Sequence, residues 1–348
     1  MQANTMGWDI GGAHLKAAII RPPNKIIAIY QQPCPLWKGL DKLYEAAQAI
    51  LDDVMSPRQH AITMTGELVD LFSGRDEGVQ QILNVMSQLL PASQIKIYAG
   101  KHGLLPLRNV NTSDYVHIAS ANWLASTTWA AQKLDSGLFV DIGSTTTDIL
   151  LFDKGKVLAK GYTDYHRLIS QEMIYTGVVR TPVMAVSQFV EDQEESVGLM
   201  AEYFATMADV FRVTGELNEL HDKTDTADGA EKTRSASAKR LARMIGCDYE
   251  ENELVRWQKL ANNLRQQQVA RIQQVCEQQL ARIELPKNTP IVGAGIGRFL
   301  VRQIADNLNL PYQDFSDFFD VNNNHINYAA SDCAPAVALA CLAAKDTG

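Results

Sequence analysis

The chain has no Cys-x-x-Cys pair, and its five cysteines (Cys34, Cys247, Cys276, Cys333 and Cys341) are scattered and odd in number. That spacing argues against a disulfide framework or a cysteine zinc site, and suits reduced thiols in a cytoplasmic protein. An apolar run of about 18 residues, the length a membrane-spanning helix needs, is also missing. No basic stretch followed by an apolar one opens the chain, so no secretory leader is expected. Positive charge is in deficit: 32 Lys and Arg face 40 Asp and Glu, a net −8. Bulk nucleic-acid binding is therefore not expected. A phosphate ligand stays compatible, because a divalent cation and a few local cations reverse the sign inside a pocket. The glycine run Gly293-x-Gly295-x-Gly297 is not the Gly-x-Gly-x-x-Gly of a dinucleotide fold, and no βαβ unit with a ribose-binding acid follows it.

What is present centres on Phe139-Val140-Asp141-Ile142-Gly143-Ser144-Thr145-Thr146-Thr147-Asp148-Ile149-Leu150-Leu151-Phe152. Apolar residues flank a turn of glycine and hydroxyls, which predicts a β-hairpin. Such a turn points N–H and hydroxyl groups at one spot and suits a phosphate. The acids Asp141 and Asp148 suit Mg²⁺, a hard cation that takes one or two carboxylates plus phosphate oxygens and waters. The unit Asp9-Ile10-Gly11-Gly12 repeats the theme about 130 residues earlier, with Lys16 seven residues past Asp9. Paired hairpins imply two related lobes facing each other across a cleft.

Strand and helix patterns alternate through the first part of the chain, as in an α/β lobe. Helices are expected at Leu40–Val54, Gly78–Leu90 and Asn122–Leu134. Strands are expected at Ile26–Tyr30, Ala61–Thr65, Ile95–Tyr98 and Val116–Ala119. After the second hairpin come a strand at Lys156–Tyr162 and helices at Ser196–Glu219, Lys232–Met244 and Glu250–Ile283, the last with a break or two. His221–Glu231 reads as an exposed polar loop. Pro290–Leu300 is strand, glycine turn and helix, its N-terminus aimed at a ligand. Pro335–Ala344 is a small-residue helix fit for close packing near the lobe junction. The expected organisation is a first lobe over residues 1–134 and a second over 135–348, with a mostly helical insertion at about 165–285 and a closing helix at about 335–345.

Together these features resemble the actin, heat-shock-chaperone and sugar-kinase superfamily (ASKHA, the actin-like ATPase fold), whose lobes are ribonuclease-H-like. Asp141 to Asp148 is similar to the hydantoinase A/oxoprolinase branch. Gly7-Trp-Asp-Ile-Gly-Gly-Ala-His-Leu-Lys-Ala17, Thr65-Gly-Glu-Leu-Val-Asp70, Ala119-Ser-Ala-Asn-Trp123, Gly177-Val-Val-Arg-Thr-Pro182 and Thr206-Met-Ala-Asp-Val-Phe-Arg212 resemble the tetrahydromethanopterin-linked C1-transfer, methanofuran-biosynthesis synthase family. The resemblance implies a Mg²⁺-dependent transferase serving C1 metabolism. A furanylmethyl diphosphate would lose diphosphate, and the phenol of a tyramine derivative would take its place as an ether.

Under that reading Asp9, Asp141, Lys16, Glu67 and Arg180 are the expected catalytic residues. Gly11, Gly12, Gly143, Ser144, Thr145, Thr146, Gly293 and Gly295 would cradle the phosphates, and Asp9, Asp141 and Asp148 would hold the Mg²⁺. The base that accepts the phenol proton is open among Glu67, Asp70, His102 and Asp209, while His14 reads as a structural hydrogen-bonder. Ala13-His14 stands where the superfamily often has a hydroxyl, and Gly293-Ala-Gly295 replaces a Gly-Gly doublet; both argue against ATP. The alternatives are an ATP-dependent kinase or hydantoinase/oxoprolinase-type amide hydrolase, and a nucleotide-gated scaffold whose helical insertion binds a partner. Symmetric dimers are the commonest soluble oligomers, so a homodimer is the assembly to expect; neither nucleic acid nor membrane is an expected partner.

Overall fold

Two mixed β-sheets organise the chain in the computed structural model, which describes residues 4–54, 57–321 and 327–346. The first sheet runs Asp320–Val321, Lys25–Pro33, His14–Arg21, Thr5–Ile10, Gln59–Met64, Ile95–Tyr98 and Leu104–Pro106 from edge to edge. The second runs Met173–Ile174, Thr147–Asp153, Gly137–Ile142, Ile291–Ala294 and Tyr312–Asp314, with Lys156–Val157 pairing beside Thr147–Asp153. Both sheets share one local plan. A central strand pairs antiparallel with the next strand in sequence and parallel with a later one. All six residues of Thr5–Ile10 are buried, as expected of a strand covered on both faces.

The closing helix, Ala334–Lys345, lies against the first sheet although it follows the second in sequence. The core it joins also takes Phe139, Leu150 and Val292 of the second sheet, so the helix sits where the two sheets meet. Its small side chains allow the contact: a Cβ on Gly7 would collide with the Ala336 carbonyl and lie 2.7 Å from the Ala340 nitrogen. Trp129 and Ala125 of helix Asn122–Lys133 pack into the same core.

Several local expectations shift. Val116–Ala119 is not a strand; Asn111 and Asp114 form a capping box that starts helical turns, and Tyr115–Ile118 is a short helix. Beyond Val157 the expected strand ends, because the Glu172 carboxylate captures the Lys160 and Gly161 N–H groups at 2.7 and 2.9 Å. Ser196–Glu219 is not one helix. Gln193 and Glu194 turn with φ of 49° and 70°, closing a hairpin of Phe189–Asp192 and Glu195–Gly198. The helix there is only Met207–Thr214, opened by a Thr206–Asp209 capping box and ended by Gly215. The Gln-rich stretch is a single unbroken helix, Leu254–Leu280, with Trp257, Leu264, Ile272 and Cys276 on its buried face. No helix among the described residues is long and apolar enough to cross a membrane.

Candidate functional site

The hairpins place two carboxylates at matching points. Asp9 is the penultimate residue of Thr5–Ile10, and Asp141 of Gly137–Ile142. Directly across from them stand Lys16 and Asp148. One pair is therefore acid with base, the other acid with acid. Arg167 relieves Asp148 from 2.7 Å, its guanidinium lying 4.2 Å from the centre of the Trp123 ring. Asp141 has no ion-pair partner at such a distance among the described residues. Burial, and then the Asp148 charge, push its carboxyl up to about 7. Burial also raises Asp9, against Lys16 and a 3.3 Å hydrogen bond from Asn122.

Lys16 bridges distant parts of the chain. Its Nζ donates to the Asp332 carbonyl at 2.8 Å. Burial works to lower the ammonium pKa, but Cys333, Asp9, Asp141 and Asp332 outweigh it and the pKa is raised. The group stays charged among its acids.

The second turn is built as a donor cradle. Gly143 N–H closes it on the Thr146 carbonyl at 2.9 Å. Its carbonyls face backwards: Gly143 accepts from Val178 N–H, and Ser144 from Val179 and Arg180 N–H. The N–H groups of Ser144, Thr145 and Thr146 donate to no protein acceptor among the described residues. With the Ser144 and Thr145 hydroxyls, 3.3 Å apart, they form a donor set for an anionic oxygen. Gly177 packs so tightly on the Ser144–Thr145 backbone that no side chain would fit. Gly295, at φ +77°, lies equally close to the Ile142 carbonyl and the Asp141 carboxylate. Gly293 differs from expectation: the Tyr312 ring, 2.6 Å from where its Cβ would be, fills that space, so this glycine shapes the strand. In the first turn, Gly11 N–H bonds the His14 carbonyl at 3.0 Å, and the Gly12 carbonyl accepts from Leu36 N–H.

His14 registers the charge around it. Burial and then Lys16, Arg180 and Lys223 lower its imidazole to about 4, with Asp222 opposing. Three cations thus surround a neutral ring. Arg180 and Lys223 are exposed. This cluster beside an amide cradle suits a polyanion.

Among the described residues no three His, Cys, Asp or Glu side chains gather closely enough to hold a metal alone. Of the expected set, Asp148 is committed to Arg167. The remainder fits a Mg²⁺ that takes one or two carboxylates and completes its shell with phosphate oxygens and water. Asp141, unpaired and opposed by Asp148, is the carboxylate that such a cation would relieve, with Asp9 as its companion.

Glu67 belongs to a different part of the cleft. It is 1 % exposed, its Oε1 accepts from Ser120 Oγ at 2.7 Å, and its Oε2 has no partner. Burial raises its pKa to about 7. Ser120 Oγ also lies 3.2 Å from Asp164, which pairs with Arg75 at 2.7 Å. Glu67 therefore sits in a polar contact joining the two halves of the molecule. The other acids and histidines considered as bases lie elsewhere. Asp70 is exposed. His102 packs against His117 with the rings tilted and their centroids 4.2 Å apart. Asp209 is locked in the insertion by Arg240 at 2.7 Å and Ser237 at 2.8 Å.

The hydantoinase/oxoprolinase family model matches residues 58–345. The chain belongs to this family. A relative from Methanocaldococcus jannaschii is 30% identical over 89% of this chain and 91% of its own length. It is a (4-{4-[2-(gamma-L-glutamylamino)ethyl]phenoxymethyl}furan-2-yl)methanamine synthase. A synthase of the same name from Methanococcus vannielii is 32% identical over 34% of this chain and 54% of its own length. Among solved structures, a nucleotide-free acetone carboxylase aligns over 98% of this chain and 70% of its own, with a TM-score of 0.56 and 10% identity. That likeness concerns the actin-like ATPase fold alone.

In this hydantoinase/oxoprolinase chain, sequence reasoning missed four residues of the site: Asn122, Arg167, His221 and Asp332. Asn122 and Arg167 hold Asp9 and Asp148. Asp332 accepts from Lys16 through its carbonyl and pairs with Arg298 at 2.5 Å through its carboxylate. Its position just before the Ala-rich helix is a helix-start signal that could have flagged it. His221 and Asp222 fall in the stretch expected to be an exposed loop, yet both are buried: Arg212 draws Asp222 in at 2.6 Å.

Proposed function

We propose that this protein is a transferase of methanofuran- or methylofuran-type cofactor biosynthesis. It joins a furanylmethyl diphosphate to the phenol oxygen of a tyramine derivative, forming an ether and releasing diphosphate. The observation that carries the reading is the amide cradle at Ser144–Thr146 beside Lys16 and Arg180, facing the unpaired Asp141. The compound in the name of the 30%-identical relative contains a phenoxymethyl link to a furan, the bond this chemistry makes.

The residues divide the work. The Ser144, Thr145 and Thr146 amides bind diphosphate oxygens, and Lys16, Arg180 and Lys223 neutralise them. A Mg²⁺ held by Asp141 and Asp9 would supply charge neutralisation on the leaving oxygens. The furan ring stabilises positive charge on its methylene carbon as the C–O bond to diphosphate lengthens. The cradle lowers the barrier by stabilising the departing group, and the phenol oxygen closes on that carbon. Burial of Asp9 limits the access of bulk water to the site.

Incubating the protein with Mg²⁺, a furanylmethyl diphosphate and a tyramine derivative, without nucleotide, should give the ether by mass spectrometry. Formation of ether only on adding ATP, or phosphorylation of the acceptor instead, would overturn the reading in favour of kinase-type chemistry.

A further inference from the structure

Gln31 is a mostly buried amide that bonds nothing and yet borders open space. It stands directly across from Lys16, which stands across from Asp9, so the three side chains form one row on one face of the first sheet. Neighbouring strands lie about 4.8 Å apart, which sets the carboxamide next to the ammonium between the hairpins. Gln31 is 8 % exposed; its Oε1 is buried without a partner, while its Nε2, also without one among the described residues, is not sealed. An unpaired atom alone marks nothing. His60 and Gln268 each have one in the core, but His60 accepts from Trp8 through its other nitrogen, and Gln268 donates twice through its amide nitrogen. Gln31 has no such anchor, and it forms part of a cavity wall.

That cavity is a groove of about 800 Å³ along the strand Lys25–Pro33. Beyond Ile26 the outer edge of this strand has no strand partner among the described residues, which leaves the groove open. The described walls include Ile27, Ile29, Tyr30 and Gln31 of the strand, with Lys223 and Tyr328 from outside it. The charges of Asp332 and Lys16 act on the Tyr328 hydroxyl, and that of Lys223 on His14, so at this end the groove meets the candidate diphosphate site. From Gln31 back to Ile27 it runs about 13 Å, four residues at ~3.3 Å each. That is long enough for a phenol ring, a two-carbon arm and a substituent on its nitrogen. A furan ring alone would leave most of the space empty, and the apolar and aromatic walls with a few polar groups suit an aromatic ligand of the larger kind.

We infer that this groove is the acceptor subsite, with Gln31 Nε2 donating to the phenol oxygen at its inner end and the tyramine arm running along the strand towards Ile27. This rests on the proposed ether-forming activity. Acceptor binding supplies the hydrogen bond that the amide otherwise lacks. It also sets the phenol oxygen beside Lys16, whose charge favours phenolate over phenol. Diphosphate and acceptor then approach the same ammonium from different sides: the donor from the Ser144–Thr146 turn, the acceptor from the edge of the first sheet.

The test is photolabelling of the unaltered protein with a tyramine that carries an aryl azide in place of its hydroxyl, which needs no turnover. Peptide mass spectrometry should find the label on residues 27–33 or on Tyr328, and excess tyramine should suppress it. In steady-state kinetics Q31A should raise the acceptor KM by about tenfold or more. It should leave the KM of the furanylmethyl diphosphate and the affinity for inorganic diphosphate unchanged. A28W, which places bulk on the groove wall, should do the same. Label outside the groove overturns the assignment whether or not the variants fold. So does a Q31A protein with an unchanged acceptor KM, or one in which only the donor KM rises, which gives the groove to the donor. If the groove is labelled and no acceptor yields an ether, the functional reading has failed while the groove stands as a phenol site; if ether forms and the label falls elsewhere, only the subsite has failed.

Discussion

Lys16 donates to the backbone carbonyl of Asp332 at 2.8 Å, across 316 positions of sequence. The bond ties the first hairpin to the start of the closing helix and sets an ammonium beside Asp9 and Asp141. In the second hairpin the matching position holds Asp148, so the two halves of the clamp are complementary in charge. Replacing Lys16 with Met removes the cation while keeping much of the stem. Steady-state kinetics should show turnover down by about 10²- to 10³-fold, the usual loss when one preorganised group at a developing charge is removed. Circular dichroism should show an intact fold. Turnover within threefold of the unaltered protein would remove Lys16 from the mechanism.

Asp141 makes stability depend on pH in a stated direction. Its carboxyl is raised from 3.8 to about 7 by burial and by Asp148. Between those values the native state keeps a proton that the unfolded chain has released, so stability from this group falls as pH rises through the window. Asp141→Asn should raise the melting temperature by a few degrees at pH 8 and change it little at pH 4. Mg²⁺ should stabilise the unaltered protein at pH 8 and do so less in the variant. Thermal melts with and without Mg²⁺ check both signs; stabilisation by Mg²⁺ that is equal in the two proteins would place the ion elsewhere.

Much of the fold was legible because hydrophobic period and turn chemistry agreed. Asp9-Ile-Gly-Gly and Asp141-Ile-Gly-Ser each sit between apolar strands, and each does form a hairpin. The closing helix was legible as a close-packing element near the lobe junction, and Gly7, far away in sequence, shows how tightly it lies on the first sheet. The turn that carries Ser144 and Thr145 could be read directly. Arg167, Asn122 and His221 could not, because their roles arise from long-range contacts with Asp148, Asp9 and Asp332. His221 and Asp222 looked solvated in a polar stretch, and buried Arg212 is what reverses that.

Arg167 and Asp148 should behave as a unit. Arg167→Met leaves a carboxylate in a half-closed site beside Asp141, and breaking such a pair costs about 3–5 kcal/mol when it is buried. Because Asp148 is 17% exposed, the lower end is expected. The double variant Arg167→Met, Asp148→Asn should recover much of the loss, since neither charge is left uncompensated. Chemical denaturation of the four proteins supplies the cycle; strictly additive losses would show that the two side chains do not interact.

Gly177 braces the phosphate turn from behind. Its Cβ would overlap the backbone between Ser144 and Thr145, which cannot yield as a flexible side chain does. Gly177→Ala should displace the cradle, weakening diphosphate binding by tenfold or more at a stability cost of about 1–3 kcal/mol. Calorimetric titration with inorganic diphosphate and Mg²⁺ reads the affinity, and unchanged binding would separate this turn from the diphosphate.

The fate of the phenol oxygen tests the central claim most directly. With an acceptor carrying ¹⁸O in its phenol group, displacement at the furanyl methylene carbon predicts that the ether retains the label and the released diphosphate contains none. Label bonded to phosphorus would mean that the phenol attacked phosphate, and would contradict the account.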